Sequence, residues 1–200
     1  MSNYIFFIGG SGARAYTAFI HSAASGILNT ENVNTLIIDA DISNKANEKS
    51  INLYRKYQEI YELLSNKENR TIFTCEINMM TQNILSPVES NAVTLRDAIG
   101  TVGEDRKRLL DCFYTEEEKS QNLQHGFYAH PNIGCVFFSD FKNKEFDSCL
   151  SQIERELDGG QKVSVALVGS IFGGTGAAGI PTIFKILKEK FCGNNNWGNL

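Results

Sequence analysis

The chain has 200 residues, 42% of them hydrophobic and 21% charged, with a formal net charge of −4. That is enough for one domain with a substantial core and is ordinary for a soluble globular protein. The acidic balance and the lack of any basic block give no reason to expect nucleic acid. The first apolar run, Tyr4 to Ile8, has no basic flank and is far too short for a signal peptide or a membrane span. Five cysteines (Cys75, Cys112, Cys135, Cys149 and Cys192) include no C-x-x-C pair, which points to reduced thiols in a cytoplasm. Cys75, Cys112, His125 and His130 match no zinc spacing, so no metal held by protein ligands is expected.

Residues 3–8 read as a short buried strand. Gly9, Gly10, Ser11 and Gly12 follow as a glycine turn, and from Ala13 the pattern becomes helical, with Tyr16, Phe19, Ile20 and Ala23 on one side. Arg14 falls in the first helical turn. A cation there opposes the helix dipole unless an anion sits nearby; the alternative is a solvated surface arginine. Leu36, Ile37 and Ile38 make a second buried strand, with Asp39 and Asp41 at its carboxyl end. Acids in that place can meet a ribose hydroxyl or hold magnesium through water. Asp41 or Ser43 can equally cap the next helix.

Residues 44–65 form an amphipathic helix with an aromatic stripe, a core or interface face rather than a cofactor site. Residues 71–80 suggest a strand. Residues 81–124 are polar and less periodic, with a charged helix expected over 104–119. This insertion, at about 66–124, suggests no chemical role. Residues 125–141 read as a loop followed by a short apolar run. Pro131 suits a first helical turn, and His130 before it can face an anion or simply cap or pack. Residues 144–157 form another amphipathic helix, stopped by Gly159 and Gly160.

The densest signal comes next. Val163, Val165, Ala166, Leu167 and Val168 form an apolar strand, and then come Gly173, Gly174, Thr175, Gly176, Ala177, Ala178 and Gly179. An apolar helix follows, marked by Ile180, Phe184, Leu187 and Phe191. Strand, glycine loop and helix together present backbone N–H groups and a helix start to a phosphate. The same residues can also form a plain tight turn. The polar stretch from Cys192 to Leu200 looks like a connection to a further strand. This order of elements predicts an α/β fold: a mostly parallel, Rossmann-like sheet flanked by helices on both faces, as one nucleotide-binding domain.

These residues resemble the tubulin and FtsZ family of GTP-binding cytoskeletal proteins. The family signature G-G-G-T-G-[ST]-G stands here as Phe172-Gly173-Gly174-Thr175-Gly176-Ala177-Ala178, with Phe172 and Ala178 in the places of glycines. Gly9-Gly10-Ser11-Gly12 resembles the family's first phosphate loop, and Asp39-Ala40-Asp41 its Asp-Ala pair after the second strand. Ala129-His130-Pro131-Asn132-Ile133-Gly134 resembles A-N-P-E-I-G, which approaches the terminal phosphate; His130 replaces the asparagine there, and Tyr128 a glycine. The resemblance covers about the first half of the family's nucleotide-binding domain. It implies GTP or GDP with Mg2+ held through phosphates and water. Phosphate contacts would come from Gly9, Gly10, Ser11, Gly12, Gly173, Gly174, Thr175, Gly176 and Ala177, with Asp39, Asp41, Ala129 and His130 nearby; Arg14 joins these candidates on the helix-dipole argument alone. It also implies self-association into filaments, with hydrolysis completed only in the polymer; no catalytic residue is identified in this chain.

Two other readings remain. Gly10-Ser11-Gly12-Ala13-Arg14-Ala15 satisfies G-x-G-x-x-A, and with Asp39 it fits a Rossmann oxidoreductase using NAD(P) or FAD, though the second glycine loop then has no task. The other is a non-catalytic nucleotide-binding scaffold. On sequence alone, Gly174→Val is the natural test of phosphate contact.

Overall fold

The computed structural model describes residues 1–67, 69–88, 93–100, 103–139, 141 and 143–198. β1 (Ser2–Ile8) runs directly into α1 (Gly9–Ala24), and β2 (Asn32–Ile38) leads to α2 (Lys45–Ser65). β3 (Glu76–Met79) is followed by α3 (Leu95–Gly100), α4 (Glu104–Phe113), α5 (Glu116–Ser120), α6 (Pro131–Ser139) and α7 (Lys144–Asp158). β4 (Val163–Gly169) and α8 (Gly174–Phe191) complete the order. The strands form one parallel sheet in the order β3-β2-β1-β4. This is the Rossmann-like α/β arrangement expected from strands alternating with helices.

Alternation along each strand builds two cores. Phe7 and Ile37 face one side and pack with Tyr16 and Ile20 of α1 and Tyr54 and Tyr57 of α2. Phe6, Ile8, Leu36 and Ile38 face the other side, among Ile133 and Phe138 of α6, Phe146 and Ile153 of α7, and Ile183 and Leu187 of α8. A side-chain period of two on strands and near four on helices makes this division unavoidable. Each such side chain contributes about 1.5–3 kcal/mol by leaving water.

Several boundaries differ from the sequence expectation. α1 starts at Gly9 rather than Ala13, so the first glycine turn lies inside the helix and Arg14 stands in its second turn. α8 starts at Gly174, so most of the second glycine loop is also a first helical turn. The apolar run after Pro131 is helical, with proline at the first position. The helix expected over 104–119 breaks at Thr115, whose side chain caps α5 in a reciprocal pair with Glu118. After α8 the chain turns back along the free edge of β4, where Gly198 N–H donates to Val163 O at 2.8 Å and Val163 N–H to Asn196 O at 3.1 Å. The end of the polar tail beyond Gly198 and parts of the 66–124 insertion lie outside the described residues.

Candidate functional site

Register places three strand ends in one row. Ile8 of β1 pairs with Ile38 of β2 on one side and Gly169 of β4 on the other. From β1 the chain moves to β2 on one side of the sheet, whereas β4 lies on the opposite side of β1. β1 and β4 therefore flank the topological switch point, where open α/β sheets collect ligands beyond the carboxyl ends of their strands.

Two helices begin there side by side. Gly9 has φ of +74°, and a Cβ on it would stand 3.3 Å from the Gly176 nitrogen and 3.3 Å from Thr175 Cβ. That left-handed backbone and that close approach both require glycine. A Cβ on Gly176 would lie 2.3 Å from Ser170 O, so the β4–α8 turn closes on itself more tightly still. Neither α1 nor α8 has a side-chain cap, and neither carries an acid in its first turn. Their first N–H groups lack intrahelical acceptors, and each helix start carries about half a positive elementary charge. Two such starts in contact form a concentrated anion-facing surface. Gly10 and Gly173 leave open space beside it: a Cβ on Gly10 would meet only Asn44 Nδ2, at 3.8 Å, and one on Gly173 would meet nothing within 4 Å.

The turn before α6 forms a third wall. Phe127 is buried, and a Cβ on Gly174 would fall 2.6 Å from Phe127 Cβ. Tyr128 and Ala129 have φ of 44° and 60°, left-handed values that favour glycine. At Tyr128 a bulky side chain is thus held on a backbone conformation that glycine adopts most readily. Gly126 brings the same turn to Asp41, with 3.8 Å between its Cβ position and Asp41 Cβ. His130 N–H donates to Phe127 O at 2.7 Å, and its imidazole Nδ1 lies 3.8 Å from Glu118 Oε1.

The structure thus brings Gly9, Gly10 and Ser11 together with Gly173, Gly174, Thr175 and Gly176, and places Asp41, Ala129 and His130 on the adjoining loops. Other expected residues are differently employed. Asp39 is 2% exposed. Its Oδ2 accepts from Asn44 Nδ2 at 2.8 Å and Asn47 Nδ2 at 2.9 Å. Both amides also donate to Asp41 O, and Asn44 Oδ1 caps α2 through Asn47 N–H at 2.9 Å. Burial pushes the Asp39 carboxyl above its ordinary range, against these donors. Asp39 therefore anchors the start of α2. Gly12 serves packing: a Cβ would lie 2.8 Å from the Phe7 carbonyl carbon. The Ala177 N–H is already committed to Gly173 O at 3.1 Å. Arg14 is exposed, a turn beyond the first N–H groups. Asp41 is half-buried, with Oδ1 accepting from Ser43 Oγ at 3.0 Å.

Sequence reasoning missed three contributors: Phe127 beneath Gly174, the Asn44–Asn47 pair beneath Asp39, and Glu118 beside His130. For Glu118 a signal existed, since Thr115-x-x-Glu118 is a capping-box pattern.

A separate cleft of about 470 Å³, lined by Ile42, Ser43, Asn47, Ile51 and Ile84 among others, includes none of the glycine-turn residues. Among the described residues there is no cluster of three or more metal-ligating side chains and no helix long and apolar enough to cross a membrane. All five cysteines are free thiols. No family model matches the chain, and no curated protein or solved structure matches it.

Proposed function

We propose that the chain binds a guanine nucleotide at the β1–β4 switch point, in the manner of the tubulin and FtsZ family. The observation that carries the proposal is the contact of Gly9 with Thr175 and Gly176, which joins two uncapped helix starts. Backbone N–H groups of Gly10, Ser11, Gly174 and Thr175 hold the phosphates by position and charge, without covalent chemistry. Asp41 stands at the rim with one carboxylate oxygen outside its bond to Ser43, a donor suited to water-mediated Mg2+. Bound magnesium neutralises phosphate charge.

The isolated chain binds nucleotide with little or no hydrolysis, because the residues that activate water in the family come from a later segment of a neighbouring subunit. Ile42, Tyr128, Ile171 and Phe172 are exposed on the loops at this edge and offer apolar surface for self-association. Free thiols suit a reducing compartment such as the cytoplasm.

The dinucleotide reading keeps its G-x-G-x-x-A motif, but the buried Asp39 carboxylate it needs for a ribose is already engaged, Oδ2 by Asn44 and Asn47 and Oδ1 by the Asp41 N–H at 3.4 Å. Thermal unfolding with GTP, ATP or NAD, each with magnesium, separates the alternatives. A nucleotide at a hundred times its Kd adds about 2.7 kcal/mol. Stabilisation by GTP is expected. Stabilisation by NAD alone rejects the tubulin-like reading, and no effect from any nucleotide favours a scaffold. Rapid multiple-turnover GTP hydrolysis by the isolated chain would contradict the hydrolysis claim.

A further inference from the structure

The insertion after β3 meets the first turn of α6 at one place and the 126–130 turn before it at another. Tyr114 Oη, just beyond α4, donates to Asn132 O at 2.9 Å. Glu118 of α5 makes the second contact. Its Oε2 accepts from Thr115 N–H at 2.9 Å and Thr115 Oγ1 at 3.0 Å, so the carboxylate is held by the cap of its own helix. These two donors hold its carboxyl below the ordinary range, and the Asn132 side chain adds to the effect. The other oxygen, Oε1, faces His130 Nδ1 at 3.8 Å. That is too long for a hydrogen bond, and it becomes an ion pair when the imidazole is protonated, a form in which both ring nitrogens donate. From the opposite side, His130 is set by its N–H bond to Phe127 O, and Phe127 lies under Gly174 of α8. Between them stand the left-handed Tyr128 and Ala129. Strained backbone of this kind persists only where the surroundings over-determine it. Here the surroundings are the insertion on one side and the first turn of α8 on the other.

We propose that Glu118 is a positioning residue for His130, and that through this pair the insertion sets how strongly the site holds a terminal phosphate. The inference rests on the nucleotide reading above. With Nδ1 turned toward Glu118, Nε2 is the ring nitrogen left for a phosphate oxygen. The pair acts on a nucleoside triphosphate and leaves a diphosphate untouched. The insertion, which has no role in the phosphate cradle itself, thereby gains one in distinguishing the two ligand states.

The test is a double-mutant cycle on the full chain. Calorimetry with magnesium gives GTP and GDP affinities for the wild type, Glu118→Gln, His130→Ala and the double variant. Glutamine supports a capping box as glutamate does, so Glu118→Gln removes the charge while keeping the start of α5. Unchanged unfolding midpoints check this. Glu118→Gln is expected to weaken GTP about three- to tenfold, with GDP unaffected. In the His130→Ala background it should do nothing further. The 15N signals of the His130 ring should move with GTP and stay in place with GDP. An unchanged GTP-to-GDP ratio in Glu118→Gln overturns the inference and leaves the nucleotide reading standing. An equal effect in both backgrounds also overturns it, because the carboxylate then acts without His130. Failure of the wild type to bind either nucleotide rejects the nucleotide reading and this inference with it.

Discussion

The β1–α1 turn and the β4–α8 turn are both rich in glycine, but their geometries differ. After β1 there is no loop: Gly9 is already the first helical residue, and Gly9 and Gly12 are buried. After β4, residues 170–173 intervene before α8, and Ile171 and Phe172 stand 70% and 89% exposed. The difference separates two tasks for glycine. Gly9, Gly12, Gly174 and Gly176 lack a Cβ so that protein can pack on protein. Gly10 and Gly173 lack one on faces open to solvent, where a ligand can approach. Each turn thus holds both kinds of glycine: the packing ones fix the floor of the site, and Gly10 and Gly173 leave the faces where an anion can approach.

The largest expected effect breaks the packing side of this comparison. In Gly174→Val the new Cβ meets Phe127 Cβ at 2.6 Å and Phe127 backbone at 3.2 Å. A loss of about 3 kcal/mol or more is expected in urea unfolding. Gly174→Val, the natural test on sequence alone, therefore reports folding rather than phosphate contact. Near-wild-type stability would show that the two walls do not press together.

Gly173→Asp addresses the open side. The residue is the N-cap of α8, with extended backbone (φ −104°, ψ 162°) that aspartate adopts readily. An aspartate there caps the free N–H groups and places a negative charge where an anion would sit. Stability should rise by about 1 kcal/mol while GTP binding weakens at least about tenfold. A variant that is stabilised and still binds GTP normally would separate α8 from the phosphates.

The next effect concerns the anchor beneath the rim. The Asp39 carboxyl titrates above its unfolded value of 3.8. Between that value and its raised one, the folded chain binds more protons than the unfolded chain, so this group's contribution falls as pH rises through the window and is flat above it. The stability of the wild type relative to Asp39→Asn should therefore shrink as pH rises above 3.8 in urea titrations. Growth of the difference with pH would reverse the assignment.

The smallest effect is Gly10→Ala. Its Cβ meets only Asn44 Nδ2, at ordinary contact distance. Alanine inside a helix should add about 0.5–1 kcal/mol, and GTP binding should weaken only a few-fold. A loss of stability would mean that Gly10 belongs with the packing glycines.

Much of this arrangement was legible in the residues. Leu36-Ile37-Ile38 and the Val163–Val168 run are apolar enough to mark parallel strands, and the helices after them follow a spacing near four. The Rossmann-like fold and the common edge of both glycine turns follow from that order. The division of labour among the glycines was not legible, because it depends on which distant residue packs against each Cα. Nothing near Gly174 in sequence announces Phe127, and nothing near Gly9 announces Thr175. Asp39 illustrates the same limit: a carboxylate ending a strand looks available, yet Asn44 and Asn47 fold back onto it. The register of α1 was also misplaced. A helix can start on glycine when the strand before it delivers the chain at the right angle, and that moved Arg14 into the second turn.

The central claim is that both helix starts hold one anion. Backbone amide 15N spectra of the full chain during titration with Mg-GTP test it most directly. The account predicts the largest shifts together at Gly10, Ser11, Gly174 and Thr175, saturating with a single affinity. Shifts confined to one of the two turns, or centred on the Ile42–Ile51 cleft, would contradict it.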